Sequence, residues 1–109
     1  MPQTPRIEFL YWEDCPSHPE ALERLREVMA EMGIDAPIER TEVVTDEDAA
    51  RLHFPGSPTI RIGGVDVDPA GAAHLGSALT CRVYVIEGGR YSPLPSKEMI
   101  RSALTGPKQ

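Results

Sequence analysis

The two cysteines are the residues of this 109-residue chain best suited to nucleophilic chemistry. Cys15 follows a β-rich run and precedes a segment with helical spacing, so we expect its sulfur to lie near a helix N-terminus. Unpaired N–H groups and the positive end of the helix dipole stabilise a thiolate there. The neighbouring carboxylates of Glu13 and Asp14 act in the opposite direction. The pattern predicts that Cys15 is a reactive thiol rather than an inert buried residue.

Two helix starts fit the residues that follow this cysteine. Pro16 suits the first helical position, where its missing N–H costs nothing. Ser17 and Glu20 form an S-x-x-E capping box that begins the helix two residues later, and Pro19 favours that later start. The thiol is less activated if Ser17 is the cap. Two interpretations of His18 stay open: it orients or deprotonates the thiol, or it is a solvated histidine on the first helical turn.

The second cysteine, Cys81, opens another β-rich run. A cysteine in this position is most often a buried core residue, and burial is the interpretation we favour. In the alternative, Cys81 is a remote partner of Cys15, either as a resolving thiol or as a second ligand for Hg(II), Cu(I) or Zn(II). Arg82 would then favour the thiolate, and small loop movements would bring the two sulfurs together. His18 is a further candidate ligand in that metal site.

The elements that position these residues alternate between strand and helix patterns. The side chains of residues 6–12 alternate between two faces, as in a strand, and both faces are mostly apolar. This pattern predicts a strand that is covered on two sides. Helical spacing over 20–32 ends at Gly33, and Thr45 caps a short helix that stops before Pro55. The remaining predicted elements are a strand at 38–44, a hairpin of 59–62 and 65–68 around Gly63-Gly64, a strand at 81–86 paired with 90–91, and a helix from Ser96 to Leu104 ended by Gly106-Pro107.

This order of elements predicts an α/β fold. The first two strands must be parallel and joined by a right-handed crossover, and the hairpin then adds antiparallel strands to the same sheet. We therefore expect a central mixed sheet of about four to five strands with helices on both faces. Residues 1–109 have no linker or repeat and are expected to form one domain. The pattern of residues 68–80 assigns no element.

A turn precedes the predicted third strand and has the sequence Phe54-Pro55-Gly56-Ser57-Pro58-Thr59-Ile60. Together with the Cys-Pro helix start, this turn resembles the thioredoxin-like superfamily over residues 6–68. The resemblance implies a thioredoxin-like fold in which Pro58 is cis and lies within van der Waals reach of Cys15. It implies catalytic roles for Cys15, His18 and Pro58. It also implies that Ser57 and Thr59 lie beside a bound co-substrate such as glutathione, with no tightly held cofactor.

The cysteine motif departs from the usual C-P-x-C, because His18 stands where the resolving cysteine would be. A C-P-S-H motif cannot close its own disulfide. The resemblance therefore implies a monothiol, glutaredoxin-like redox protein that uses Cys15 on small-molecule or protein thiols and disulfides. Two alternatives stay open: a soft-metal thiolate protein that uses Cys15 and Cys81, and a redox-inactive interaction module.

Charge excludes some classes of partner. Eleven basic and seventeen acidic residues give a net charge of −6, which argues against nucleic acid and against an anionic membrane surface. The N-terminal residues show no cationic start followed by an apolar run, so we expect no secretion signal. No apolar run approaches the roughly 20 residues that span a bilayer. The expected compartment is the cytoplasm, where thiols stay reduced.

Four other polar residues have less specific patterns. Asp66 and Asp68 alternate with valines, so we expect both to lie on the solvated face of an edge strand. His53 and His74 have no ligand spacing, so we expect each to be exposed or satisfied within the chain.

Overall fold

In the computed structural model, which describes residues 5–105, four strands form one mixed sheet. The strands are β1 (Ile7–Tyr11), β2 (Ile38–Glu42), β3 (Thr59–Ile62) and β4 (Val65–Asp66), and their order across the sheet is β2-β1-β3-β4. β1 is parallel to β2 and antiparallel to β3, and β3 is antiparallel to β4. The predicted mixed sheet is confirmed for these strands.

Four helices and a second, two-stranded sheet complete the described residues. The helices are α1 (His18–Glu31), α2 (Asp46–Arg51), α3 (Pro69–Ala73) and α4 (Lys97–Thr105). The second sheet consists of β5 (Tyr84–Ile86) and β6 (Arg90–Ser92), which are antiparallel and joined by a 3-10 turn, Glu87–Gly89. Within residues 5–105, no helix has the length and apolar character needed to cross a membrane. The predicted helix stop at Gly106-Pro107 lies outside these residues, as do residues 1–4.

β1 is covered on both sides, as its sequence predicts. Ile7 and Phe9 pack with Leu25 of α1 and Ile100 of α4 in one apolar cluster. Leu10 points to the other side of the sheet, into a second cluster that includes residues of α2 and of the loop after it. Helices therefore cover both faces of the sheet. The end of β1, where Cys15 follows, is fixed by packing from two directions.

The first helix begins at the later of the two predicted positions. Its first residue is His18 and Ser17 is the N-cap residue, but the Ser17 side chain makes no capping hydrogen bond. The capping box is therefore not formed. At the other end Gly33 has φ +69°, and the N–H of Ile34 donates to the carbonyl of Met29 at 2.9 Å. A left-handed residue at this place favours glycine, which is why the helix ends there.

The segment that begins with Cys81 differs from its prediction. A strand was expected over 81–86, but β5 starts only at Tyr84, and Cys81 instead forms an isolated parallel bridge with Ser57. The reason is a competition for partners: the backbone at 80–82 bonds to the loop before β3 rather than to β6. The predicted pairing of this strand with 90–91 is confirmed, as is the two-residue hairpin at Gly63-Gly64.

The short helix α2 depends on its cap, because a helix of six residues has few internal bonds. The Oγ1 of Thr45 accepts a hydrogen bond from the N–H of Asp48 at 3.0 Å. We expect Thr45→Ala to lower the free energy of unfolding by about 1 kcal/mol. Thr45→Ser keeps the capping hydroxyl and should lower the free energy of unfolding much less. Urea denaturation of both variants measures the difference. Equal losses would show that the hydroxyl is not what stabilises this turn.

Candidate active site

The backbone of Ser57 is the meeting point of the candidate site. Its N–H donates to the carbonyl of Thr80 at 2.8 Å, and its carbonyl accepts from the N–H of Arg82 at 2.8 Å. These bonds make the parallel bridge between Ser57 and Cys81. The residues between β3 and β5 therefore return across the end of the sheet and place Cys81 beside the loop of Pro58.

Cys15 approaches the same residue from the other side. A turn after β1 holds it, since its N–H donates to the carbonyl of Trp12 at 3.0 Å. The Cys15 Sγ donates to the carbonyl of Ser57 at 3.4 Å, and the Trp12 N–H donates to the Ser57 Oγ at 3.0 Å. The Ser57–Pro58 peptide bond is cis, and Cys15 lies beside it, as the resemblance implies.

The two cysteines are neighbours at the Ser57 backbone, because the Cys15 Sγ donates to its carbonyl and Cys81 pairs with it in the parallel bridge. Nearby protein atoms partly desolvate the Cys81 sulfur and raise its pKa, and the neighbouring Cys15 thiol raises the pKa further. Both cysteines are free thiols; Cys15 is 1% exposed, whereas Cys81 is exposed. The expectation that Cys81 is a core residue is wrong. The chain alternates here, so Arg82 and Tyr84 point inward and Cys81 points outward.

Among the described residues, His18 makes no hydrogen bond to Cys15 or to Cys81. Its ring stacks on Tyr11 with centroids 4.8 Å apart, and its Nε2 lies 3.9 Å from Oε1 of Glu13. Because α1 begins at His18, the ring packs back onto the end of β1. The structure therefore gives no contact through which His18 would orient or deprotonate Cys15.

Ser57 and Thr59 are both fully buried, and their polar groups bind within the chain. The Thr59 Oγ1 donates to the carbonyl of Gly56 at 2.6 Å and accepts from Arg82 Nη1 at 3.2 Å. The carbonyl of Pro58 accepts from the Tyr84 hydroxyl at 2.6 Å. Direct contact of glutathione with Ser57 or Thr59, which the resemblance implies, would therefore require residues 80–82 to move away.

Arg82 holds the returning segment in place. It is 2% exposed, and its guanidinium makes a bidentate pair with Asp66, from Nη1 to Oδ2 at 2.7 Å and from Nη2 to Oδ1 at 2.8 Å. It also lies 4.1 Å from the ring centroid of Tyr84. Burial lowers the pKa of Arg82, but the hydrogen bond and the negative charge of Asp66 outweigh this, so the pKa is raised. Arg82 is charged and fixed.

Two expectations about this region are wrong. Asp66 is not on a solvated face, because its side chain is only 9% exposed and Arg82 binds its carboxylate. Arg82 is bound to Asp66 and Thr59, so its charge is directed at them rather than at a thiolate. Asp68 was expected on the same edge strand as Asp66, but it lies after β4 and caps α3, where its carboxylate accepts from the N–H of Gly71 at 3.2 Å. The sequence signal that could have found this pair is the inward position of Arg82 in an alternating run.

Gly56 is required for this arrangement. Its φ is +125°, and a Cβ built on it would lie 3.0 Å from the Cβ of Arg82. A side chain at this position would push the 80–82 segment away from the loop of Pro58.

The two thiols form a small ligand set. Between residues 5 and 105, no group of three or more His, Cys, Asp or Glu side chains could hold a metal ion. Two thiolates suit a linear soft cation such as Hg(II) or Cu(I), whereas structural Zn(II) takes four ligands. His53 and His74 are both exposed, as predicted.

Comparison with known proteins identifies one family. Residues 17–104 match the family described as domain of unknown function (DUF2703), and because the match covers more than half of the chain, the chain belongs to this family. The matched range includes Cys81 and the loop of Pro58 and begins just after Cys15. Neither the curated proteins nor the solved structures give a match.

The buried ion pair predicts unequal effects of two similar substitutions. Asp66→Asn leaves the Arg82 guanidinium buried without a counter-charge, so we expect it to lower the free energy of unfolding by about 3–5 kcal/mol. Asp68→Asn keeps a capping side chain and should change it by less than about 0.5 kcal/mol. Urea unfolding measures both. We also expect Asp66→Asn to change the alkylation rate of Cys81, because segment 80–82 loosens. Equal effects of the two variants would contradict this role of the pair.

The environment of Cys81 predicts a pH dependence. Because its pKa is raised above the ordinary value of 9.0, the thiolate forms late and the alkylation rate should rise through a midpoint above pH 9.0. Cys15→Ala removes the neighbouring thiol and should lower this midpoint. The pKa should stay raised, because desolvation of the Cys81 sulfur is the larger cause of the shift. Iodoacetamide labelling followed by peptide mapping gives the profile. A wild-type midpoint at or below pH 9.0 would contradict the assignment.

Proposed function

We propose that this member of the DUF2703 family is a thiol–disulfide redox protein with a thioredoxin-like fold, in which Cys15 and Cys81 form the redox pair. The observation that carries the proposal is that Cys15 and Cys81 meet at one residue, since the Cys15 Sγ donates to the Ser57 carbonyl and Cys81 pairs with Ser57 in the parallel bridge. Cysteines that lie 66 positions apart have no local reason to lie at the same residue. An intramolecular disulfide requires Cα atoms about 4.4–6.8 Å apart, and a shared neighbour in Ser57 favours such a pair.

The arrangement of elements supports the fold assignment. A cysteine turn lies between β1 and α1, β1 and β2 are parallel, and Pro58 directly precedes the antiparallel strand β3. A mixed sheet of four strands with helices on both faces agrees with the thioredoxin-like arrangement of about four to five strands that we expect. The hairpin β5–β6 and the segment before it are additions that follow this core.

The exposure of the two thiols suggests an order of reaction. The exposed Cys81 thiolate attacks one sulfur of a substrate disulfide, forms a mixed disulfide and releases the other sulfur as a thiolate. The Cys15 thiolate then attacks the Cys81 Sγ, forms the Cys15–Cys81 disulfide and releases the second substrate thiolate. The substrate disulfide is reduced to two thiols, and the protein dithiol is oxidised by the same two electrons. A thiol reductant such as glutathione returns the protein to the dithiol form.

This order differs from the monothiol reaction that the C-P-S-H motif implies. With Cys15 only 1% exposed, a substrate cannot reach its sulfur while residues 80–82 stay in place. Cys15 suits the second step, because the sulfur that it attacks belongs to its own neighbour. The position of Cys15 near a helix N-terminus predicts, from the sequence, that Cys15 reacts faster than Cys81 with a small alkylating reagent. This stays a prediction, and the burial of Cys15 favours the opposite order.

Mild oxidation tests the pair directly. We expect diamide to convert the protein to a monomer that has lost two hydrogens, with Cys15 and Cys81 joined in one disulfide-linked peptide pair. The oxidised protein should regain both thiols with excess glutathione. Under turnover with a small disulfide and a reductant, Cys15→Ser and Cys81→Ser should each abolish catalysis. An oxidised monomer without this bond, or full turnover by Cys15→Ser, would contradict the proposal; the second result would favour a monothiol reaction at Cys81.

A soft-metal site is the second candidate function, because two free thiols lie at Ser57 and the described chain holds no group of three or more metal ligands. If it is correct, one equivalent of Hg(II) or Cu(I) should protect both cysteines from alkylation, and either serine variant should remove this protection. Binding with no redox turnover would favour the metal protein. Thiols that neither bind metal nor exchange would favour a redox-inactive interaction module.

A further inference from the structure

An exposed apolar surface begins next to Cys81. Val83, Val85 and Tyr91 are 56%, 50% and 79% exposed. Val85 and Tyr91 are direct partners across the β5–β6 ladder, so their side chains lie on one face of this hairpin. We call these three residues the apolar strip. Exposed apolar groups arranged together, rather than scattered singly, mark surfaces that bind other molecules.

The strip is continuous with the exposed thiol. Exposure alternates along residues 81–85, so Cys81, Val83 and Val85 share the outward side and Arg82 and Tyr84 the inward side. Successive outward residues of an extended chain are about 6.6–6.8 Å apart, which places Val85 roughly 13 Å from Cys81. Within the described residues, β5 has one sheet neighbour, β6, and therefore has a free edge.

We propose that the apolar strip binds the polypeptide that flanks the cysteine of a peptide or protein disulfide, and so determines the substrate class. The inference rests on the proposed function, because the thiol at the end of the strip identifies the occupant as a chain with a disulfide. A small disulfide can react at Cys81 without reaching Val85. An extended peptide whose cysteine meets Cys81 can also pair with the free edge of β5.

The geometry specifies which residues of the substrate matter. A peptide that runs along β5 has the same two-residue period, so its side chains two and four positions from its cysteine face Val83 and Val85. Apolar side chains at these two positions bury surface against the strip, and polar ones do not. The inferred substrate is therefore an extended, apolar segment around a disulfide, such as an exposed strand edge or an incompletely folded chain.

The test uses the full chain with Cys15→Ser, so that Cys81 forms a stable mixed disulfide. The probes are two peptides activated as disulfides with thionitrobenzoate, one with valines and one with serines at positions two and four from the cysteine. Cys81 attacks the peptide sulfur, and one thionitrobenzoate leaves for each mixed disulfide formed. Ellman's reagent serves as the small disulfide. We expect the valine peptide to react about tenfold faster than the serine peptide.

Val83→Thr with Val85→Thr should remove this preference and leave the reaction with Ellman's reagent within about twofold of the parent. Val44→Thr is the matched control, since Val44 is 58% exposed and lies off the strip. It should change neither the preference for the valine peptide nor the rate with Ellman's reagent. Equal rates for the two peptides, or loss of reaction with Ellman's reagent as well, would overturn the proposal. A parent protein that is a dimer, together with a double variant that is a monomer, would also overturn it, because the strip would then bind a second copy of this chain.

These outcomes are independent of the redox cycle. Wild-type protein that fails to turn over disulfides, while Cys81 of the Cys15→Ser variant still prefers the valine peptide, would refute the proposed function and leave the binding surface established.

Discussion

The pairing of Ser57 with residues 80–82 is the interaction on which the rest of the site depends. Two backbone hydrogen bonds of 2.8 Å attach a late segment of the chain to the loop before β3. The carbonyl of Ser57 accepts from the Arg82 N–H and also from the Cys15 Sγ, so one peptide group positions both thiol-bearing segments. Without this pairing, Cys81 would belong to a free hairpin and Cys15 would lose the segment that covers it.

A buried charge fixes that pairing in one orientation. Arg82 enters the interior because Asp66, Thr59 and the ring of Tyr84 provide its partners there. Removing a guanidinium from water is costly, and the pair with Asp66 compensates only in this geometry. In an alternating segment an inward Arg82 makes Cys81 and Val83 point outward. The ion pair thus connects β4 to the exposure of the second thiol and of the surface beside it.

The opposite exposures of the two cysteines follow from where their backbones lie. Cys15 sits in a turn under the returning segment, between β1 and the loop of Pro58, whereas Cys81 lies on the segment that covers it. An exposed cysteine and a buried one at the same residue give the proposed redox pair an outer and an inner member. Glycine at position 56 permits the close approach, since a Cβ there would press on Arg82.

The sequence by itself determined the elements that depend on local periodicity and turn chemistry. The alternation of residues 6–12, the helical spacing before Gly33, the Thr45 cap and the Gly63-Gly64 hairpin all correspond to observed elements, because each signal acts within a few residues. The place of Cys15 between a strand and a helix also followed from local pattern, whereas the cis bond at Pro58 was implied by resemblance. Only tertiary structure decided the exposure of Cys81, the burial of Arg82 and Asp66, and the ring contact of His18. Each of these features depends either on a partner elsewhere in the chain or on the side of a segment that faces the core. A local sequence pattern specifies neither the partner nor that side.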